Sequence, residues 1–118
     1  MDTIPQQLQD RLAQFQNMQG QLQNVVLQRQ QMMQNMAEID NALKELGDMS
    51  EGKVYTAAGP LFIETDKEKS QKKLQEEKEL KTARLKTLEK QEAKLRERLK
   101  ELGAELQTQL QGVQGGVT

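Results

Sequence analysis

Apolar residues recur every seven positions over two long stretches of this chain, and this period constrains the fold more than any other feature. In the first stretch, two interleaved series are apolar at every position except Arg11 and Arg29. A sustained spacing of about 3.5 residues is typical of the a and d positions of a coiled coil. Both arginines are expected to lay their methylenes along the seam and keep their charge in water. The series are Leu8, Phe15, Leu22, Arg29, Met36 and Leu43, and then Arg11, Met18, Val25, Met32, Ile39 and Leu46.

The second stretch has the same period with more interruptions. Lys78, Lys81 and Glu92 take positions that would otherwise be apolar, and they are expected to set the register at some cost in stability. The pattern predicts helices over 4–46 and 66–111, each about 65 Å long from the helical rise. Their near-equal lengths favour an antiparallel pair with both termini at one end. The series are Leu74, Lys81, Leu88, Leu95, Leu102 and Gln109, and then Lys78, Leu85, Glu92, Leu99, Leu106 and Val113.

Local signals set the expected helix ends. Thr3 with Gln6, and Thr65 with Glu68, have the spacing of a capping box. Gly47 fits a helix C-terminal cap. The Gly-rich residues 112–118 are expected to form a flexible tail rather than a further domain.

Composition excludes several classes of protein. Of 118 residues, 35% are hydrophobic and 3% aromatic, which is too little for an ordinary globular core. There is no Cys and hence no disulfide framework, and no apolar run approaches the roughly 18 residues of a membrane span. A formal net charge of -1 gives no long-range attraction to nucleic acid or to an anionic membrane. We therefore expect a soluble, cytoplasmic protein.

The segment KVYTAAGPLFIET, between the predicted helices, is the one β-favouring stretch. It predicts a β-hairpin over 53–64, with strands at 54–57 and 61–64 around a turn at Ala58, Gly59 and Pro60. A lone two-stranded hairpin is marginally stable in water, so we expect hairpins of several subunits to join in a shared sheet or closed barrel. The fold expected is thus predominantly α-helical: a long antiparallel two-helix coiled coil with one central β-hairpin that assembles into an intersubunit β-barrel. The predicted oligomerisation residues are Val54, Tyr55, Gly59, Leu61, Phe62 and Ile63.

Apolar residues near both termini form the predicted binding surface for unfolded polypeptides. Leu12 and Leu110 fall outside both seam series, and one neighbouring helix does not suffice to cover them. An exposed apolar cluster there would bind segments that expose their own apolar groups. The alternative is that Leu8, Phe15, Leu102 and Leu106 only zip the two helices together. The full predicted set is Ile4, Leu8, Leu12, Phe15, Leu102, Leu106, Leu110 and Val113.

The sequence offers little for catalysis. It has no His, Cys or Trp, no Gly-rich phosphate loop and no carboxylate spacing suited to a metal loop. We expect neither an enzyme nor a bound cofactor or metal.

Taken in this order, the parts resemble the beta class of prefoldin subunits, closest to the archaeal type. The resemblance covers nearly the whole chain, from IPQQLQDRLAQFQNMQGQLQ through ALKELGD to the charged second helix. Its most specific piece is the hairpin segment, in which Val54, Tyr55, Gly59 and the strand Leu61–Ile63 match the family pattern. A departure is the heavily Gln-rich first helix.

The resemblance implies a hexamer of two alpha and four beta subunits, with a double β-barrel body and six coiled-coil arms. It implies ATP-independent capture of unfolded client proteins at the arm tips and their transfer to a group II chaperonin. Glu101 and Glu105 are the residues we expect to meet a basic surface of that chaperonin.

Two other interpretations stay open. One is a structural, filament-forming or oligomeric coiled-coil spacer without clients, from which only the apolar chain-end residues distinguish a chaperone. The other is a nucleic-acid-binding arm that uses Lys67, Lys69, Lys72 and Lys73. Acidic residues interleave with these lysines, which favours an ordinary solvated helix and the prediction of no nucleic-acid partner.

Overall fold

The computed structural model describes the backbone of residues 5–115 and the side chains of residues 5–112. Its elements are helix α1 (Gln6–Asp48), strands β1 (Val54–Ala58) and β2 (Leu61–Thr65), and helix α2 (Lys67–Gly115). The predicted fold of two long helices with one hairpin between them is confirmed.

The a and d positions form the covered face of each helix. Every such position predicted in α1 is buried or partly buried, and so is every one in α2 whose side chain is described. Positions between the seam residues, such as Asp10, Ala13 and Asn17, are mostly exposed, because a single partner helix covers only a narrow stripe.

The chain divides into two compact units. The chain-end unit combines Met1–Gln28 with Leu88–Thr118, and the hairpin unit is Arg29–Thr87. In the chain-end unit, Arg11 Nη1 lies 3.2 Å from Glu105 Oε2, so the start of α1 runs antiparallel to the end of α2. In the hairpin unit, Lys78 Nζ lies 2.7 Å from Asp40 Oδ1. That ion pair explains how a lysine is accommodated at a seam position.

The hairpin is antiparallel, with Val54 opposite Thr65 and Ala58 opposite Leu61. Each strand is one residue longer than predicted, which leaves Gly59 and Pro60 as a two-residue turn. Gly59 has a φ of 60°, a left-handed conformation that favours glycine.

The first helix continues through Gly47, so the prediction of a glycine cap there was wrong. Met49 N instead donates to the Leu46 carbonyl at 3.3 Å, a tight closure that needs no left-handed residue. The left-handed glycine of this connection is Gly52, with a φ of 112°. Lys67 Nζ then donates to the Met49 carbonyl at 2.9 Å and ties the start of α2 to the end of α1.

The second helix has a different cap and a later end than predicted. Asp66, not Thr65, is the N-cap, because its Oδ1 accepts the backbone N–H of Lys69 at 2.7 Å. At the other end, residues 112–115 are helical rather than part of a tail. An isolated glycine costs a helix only about 1 kcal/mol, so Gly112 does not end it. Residues 116–118 lie outside the described residues, as does Thr3 of the first predicted capping box.

Candidate functional site

The apolar residues near the two termini form a small core, which we call the chain-end cluster. Leu8, Leu102 and Leu106 are buried at its centre, with 3–5% of each side chain exposed. Leu12, Phe15 and Met18 are partly buried and pack against them. Five of the predicted client-binding residues are thus brought together, but mainly in contact with one another.

A glycine lies against the aromatic ring of the chain-end cluster. A Cβ at Gly103 would lie 3.4 Å from Cε2 of Phe15, which is van der Waals contact, so the ring of Phe15 packs against this glycine. We conclude that Gly103 contributes to packing as well as to the helix, despite its low helix propensity.

The off-seam leucines behave differently from each other. Leu12 is partly covered by the chain-end cluster, contrary to the expectation that one partner helix leaves it open. Leu110 is exposed over 37% of its surface, as its place outside both series predicts. Ile4 and the side chain of Val113 lie outside the described residues.

The two acidic residues predicted to contact a chaperonin are each engaged within the chain. Glu105 pairs with Arg11 at 3.2 Å, and Glu101 pairs with Arg98 at 3.6 Å. Both carboxylates are still 55% exposed. A basic partner surface would therefore have to compete with an internal guanidinium for each of them.

The hairpin carries the largest exposed apolar side chains. Phe62 is 77% exposed, and Tyr55, Leu61 and Ile63 are each at least half exposed. Val54 is the exception, because it is partly buried close to the helix ends. Apolar groups lie on both faces of the two strands, since Ala57 pairs with Phe62 on one face and Thr56 with Ile63 on the other. The apolar side chains of such a hairpin are removed from water only when another surface packs against each of its two faces.

An open concavity of about 910 Å³ lies beside the hairpin. One wall is strand β1, and the other wall is formed by the end of α1 and the start of α2. Strand β1 has no second hydrogen-bonded neighbour among the described residues. The concavity thus offers an unpaired strand edge together with apolar wall residues such as Leu46 and Leu74, which is what an added strand requires.

Two kinds of site find no support in the described residues. No group of three or more acidic or other ligating side chains is placed to hold a metal ion there. Over the same residues, neither helix is apolar enough along its length to cross a membrane.

The fold and its surface define a class of protein. Such a chain has two long helices that bury their seam residues against each other, and a central hairpin whose apolar side chains remain exposed. Comparison with known proteins identifies that class more closely. The family described as "Prefoldin subunit" matches residues 9–113.

Individual relatives agree over almost their whole length. The chain is 41% identical to the prefoldin subunit beta of Thermococcus onnurineus over 116 residues, covering 98% of this chain and 100% of the relative. It is 36% identical to that of Pyrobaculum islandicum, covering 99% and 94%. The crystal structure of the prefoldin beta subunit from Thermococcus strain KS-1 superposes with a TM-score of 0.80 at 40% identity, covering 93% of this chain and 97% of that one.

The chain therefore belongs to the prefoldin family, among the beta subunits. Prefoldin is a family of chaperone subunits, as the resemblance in the sequence implied, and is not a family of enzymes.

Some contacts of the site were missed from the sequence. Arg11 was expected only to reach solvent, but it also pairs with Glu105 across the two helices. The two residues are far apart in the chain, and opposite charges occur throughout α2, so no sequence signal selects this pair. The packing of Met18 against the leucines could have been predicted from its place in the seam series, but not from its residue type.

Proposed function

We propose that this chain is the beta subunit of an ATP-independent holdase, a hexamer of two alpha and four beta subunits that acts in the cytoplasm. Its hairpin joins those of other subunits in a β-barrel body. Its chain-end unit binds unfolded client proteins, which pass to a group II chaperonin. Glu101 and Glu105 take part in the contact with that chaperonin.

The observation that carries the proposal is the contrast between exposed and covered apolar groups. Exposed hairpin residues such as Phe62 are positioned for permanent burial in an assembly. The chain-end cluster is small and has few buried residues, and Leu110, close by along α2, is exposed. A small cluster is easily opened, because each terminal turn it holds has few other contacts.

For the chain-end cluster to bind a client, contacts among its own residues must be replaced by contacts with the client. Leu8, Leu102 and Leu106 are buried, so they reach a client only when the helix ends separate. Leu110 and the partly exposed Leu12 and Phe15 are available without separation. We expect first contact through the latter group and fuller binding after local fraying.

The proposal is tested by light scattering. A denatured, aggregation-prone protein is diluted into buffer with the assembled hexamer, without nucleotide. We expect scattering to fall, and to rise again with a hexamer whose beta subunits lack residues 1–8 and 110–118. Failure of the intact hexamer to suppress scattering would contradict the holdase function.

A second candidate, a structural spacer without clients, is favoured by one observation: the buried leucines of the chain-end cluster already satisfy each other. Replacing Leu8, Leu12, Leu106 and Leu110 with Ser separates the two candidates. If the protein is a holdase, the variant captures less client while the hexamer stays intact. If it is a spacer, neither the wild-type hexamer nor the variant suppresses aggregation.

A further inference from the structure

One amide side chain occupies the seam of the chain-end unit, close to the chain-end cluster along α2. Gln109 belongs to the same seven-residue series as Leu102 and follows the buried Leu106 by three residues. Its Oε1 is buried and has no hydrogen-bond partner within the part of the chain that the structure describes. Water would donate to this oxygen if the two helices separated, so covering it without a partner costs free energy. Gln109 therefore destabilises the closed pair of helices.

A glycine weakens the first helix at the inner edge of the cluster. Gly20 comes two residues after Met18, which packs against the cluster. Among the described residues, a Cβ at Gly20 would meet no atom within 4 Å beyond the local helix backbone, so no close approach requires glycine there. Glycine is less favourable than alanine inside a helix. The part of α1 that covers the cluster is thus held less firmly than it could be.

The two units differ in their helical glycines. Of the glycines in α1 and α2, all but Gly47 belong to the chain-end unit. The helical residues 29–46 and 67–87 of the hairpin unit contain none. The weak positions are therefore concentrated in the unit whose apolar residues are covered.

Both features act on residues that a client reaches only after the helices separate. Leu8, Leu102 and Leu106 are covered in the closed state, with 3–5% of each exposed. When only the open state binds, the apparent affinity is the affinity of that state multiplied by its population. A buried unpartnered amide and a helical glycine both raise this population.

We propose that Gln109 and Gly20 keep the closed chain-end unit weak, so that its buried leucines exchange readily between one another and an unfolded client. The inference rests on the proposed holdase function and concerns how that site opens. It predicts that a more apolar seam weakens client binding. A static apolar patch would behave in the opposite way, because a further leucine would enlarge it.

The substitution Gln109→Leu separates these two expectations, because it removes the unpartnered oxygen and adds a leucine to the seam. In the assembled hexamer without client, we expect hydrogen exchange of residues 99–110 to slow about tenfold, as the loss of a buried unpaired group implies. Affinity for a globular protein kept unfolded by reduction and carboxymethylation of its cysteines should fall by a similar factor. Gln107→Leu is the control, since it places the same leucine on the exposed face nearby. It should neither slow exchange nor weaken binding.

A second set of variants changes the helix without adding a large apolar group. Gly20→Ala is expected to slow exchange of residues 6–15 and to weaken binding of the unfolded protein about fivefold. Gly47→Ala is the matched control in the hairpin unit, where a Cβ also meets nothing within 4 Å among the described residues, and it should leave affinity unchanged. Ala13→Gly, at an exposed position of α1, should have the reverse effect and tighten binding.

Two results would overturn the inference. If exchange slows in Gln109→Leu while the unfolded protein binds equally well or more tightly, opening does not limit binding. If exchange is unchanged in both Gln109→Leu and Gly20→Ala, these residues do not weaken the closed state. Should the wild-type hexamer bind the unfolded protein and every variant bind it equally, only this inference fails. Should the wild-type hexamer bind no unfolded protein, the holdase function fails with it.

Discussion

The apolar residues of the hairpin and those of the chain-end cluster differ in their exposure to solvent. In the hairpin unit, large side chains such as Phe62 and Leu61 lie in water. In the chain-end unit, Leu8, Leu102 and Leu106 are covered by each other. Each fully buried side chain of this size gains about 1.5–3 kcal/mol, so an exposed set has a strong reason to associate and a covered set has little. The difference is consistent with the proposal that the hairpin serves assembly and the chain-end unit serves client binding.

The largest expected effect comes from removing the apolar hairpin surface. Phe62→Ser with Ile63→Ser should abolish assembly, since each proposed β-barrel would lose several copies of both side chains. Light scattering coupled to size-exclusion chromatography reports the mass. Leu80→Ser is the control, because Leu80 is 73% exposed but lies on α2. A hexamer that survives the hairpin change, or dissociates with Leu80→Ser, would contradict the role of the hairpin.

A smaller effect is expected from a cavity in the chain-end cluster. Leu106→Ala should lower the free energy of unfolding by about 2–5 kcal/mol, because Leu106 is only 5% exposed. Leu110→Ala should cost less than about 1 kcal/mol, since Leu110 is partly in water already. Chemical denaturation followed by circular dichroism compares the two. Similar costs would mean that the cluster is not packed as described.

The cap of α2 is expected to contribute less again. Asp66→Ala should destabilise the chain by about 1 kcal/mol through loss of the bond to Lys69 N–H. Asp66→Asn keeps an acceptor and should be close to wild type. Thermal unfolding distinguishes the two variants. If Thr65→Ala lowered the stability more than Asp66→Ala, Thr65 rather than Asp66 would be the N-cap.

The smallest effect should come from the ion pair across the chain-end unit. Arg11 and Glu105 are 40% and 55% exposed, so solvent screens their attraction. A double-mutant cycle with Arg11→Met and Glu105→Gln is expected to give a coupling of about 0.2–1 kcal/mol that falls with added salt. A larger, salt-independent coupling would show that the pair is not solvent-screened.

The seam was predictable from its seven-residue period, and the hairpin from the β-favouring residues that flank Gly59 and Pro60. Leu88 and Ile39 are buried because a seven-residue repeat puts them on the one covered stripe. The exposure of Phe62 follows from a hairpin that has too few residues around it to form a core.

The helix ends and the polar contacts were less predictable. Glycine is a common helix terminator, but α1 continues through Gly47 to Asp48 and α2 continues through Gly112 to Gly115, because a single glycine costs a helix only about 1 kcal/mol. Thr65 and Asp66 are both good caps, and only the backbone direction leaving β2 decides between them. The pairing of Arg11 with Glu105 depends on which faces of the two helices meet.

Hydrogen exchange of the assembled hexamer, measured with and without an unfolded client, tests the division between the two units most directly. We expect the amides of residues 54–65 to be protected in both conditions, and those of 6–15 and 99–110 to change protection only when the client is present. Client-dependent protection at the hairpin, with none near the chain ends, would contradict the account.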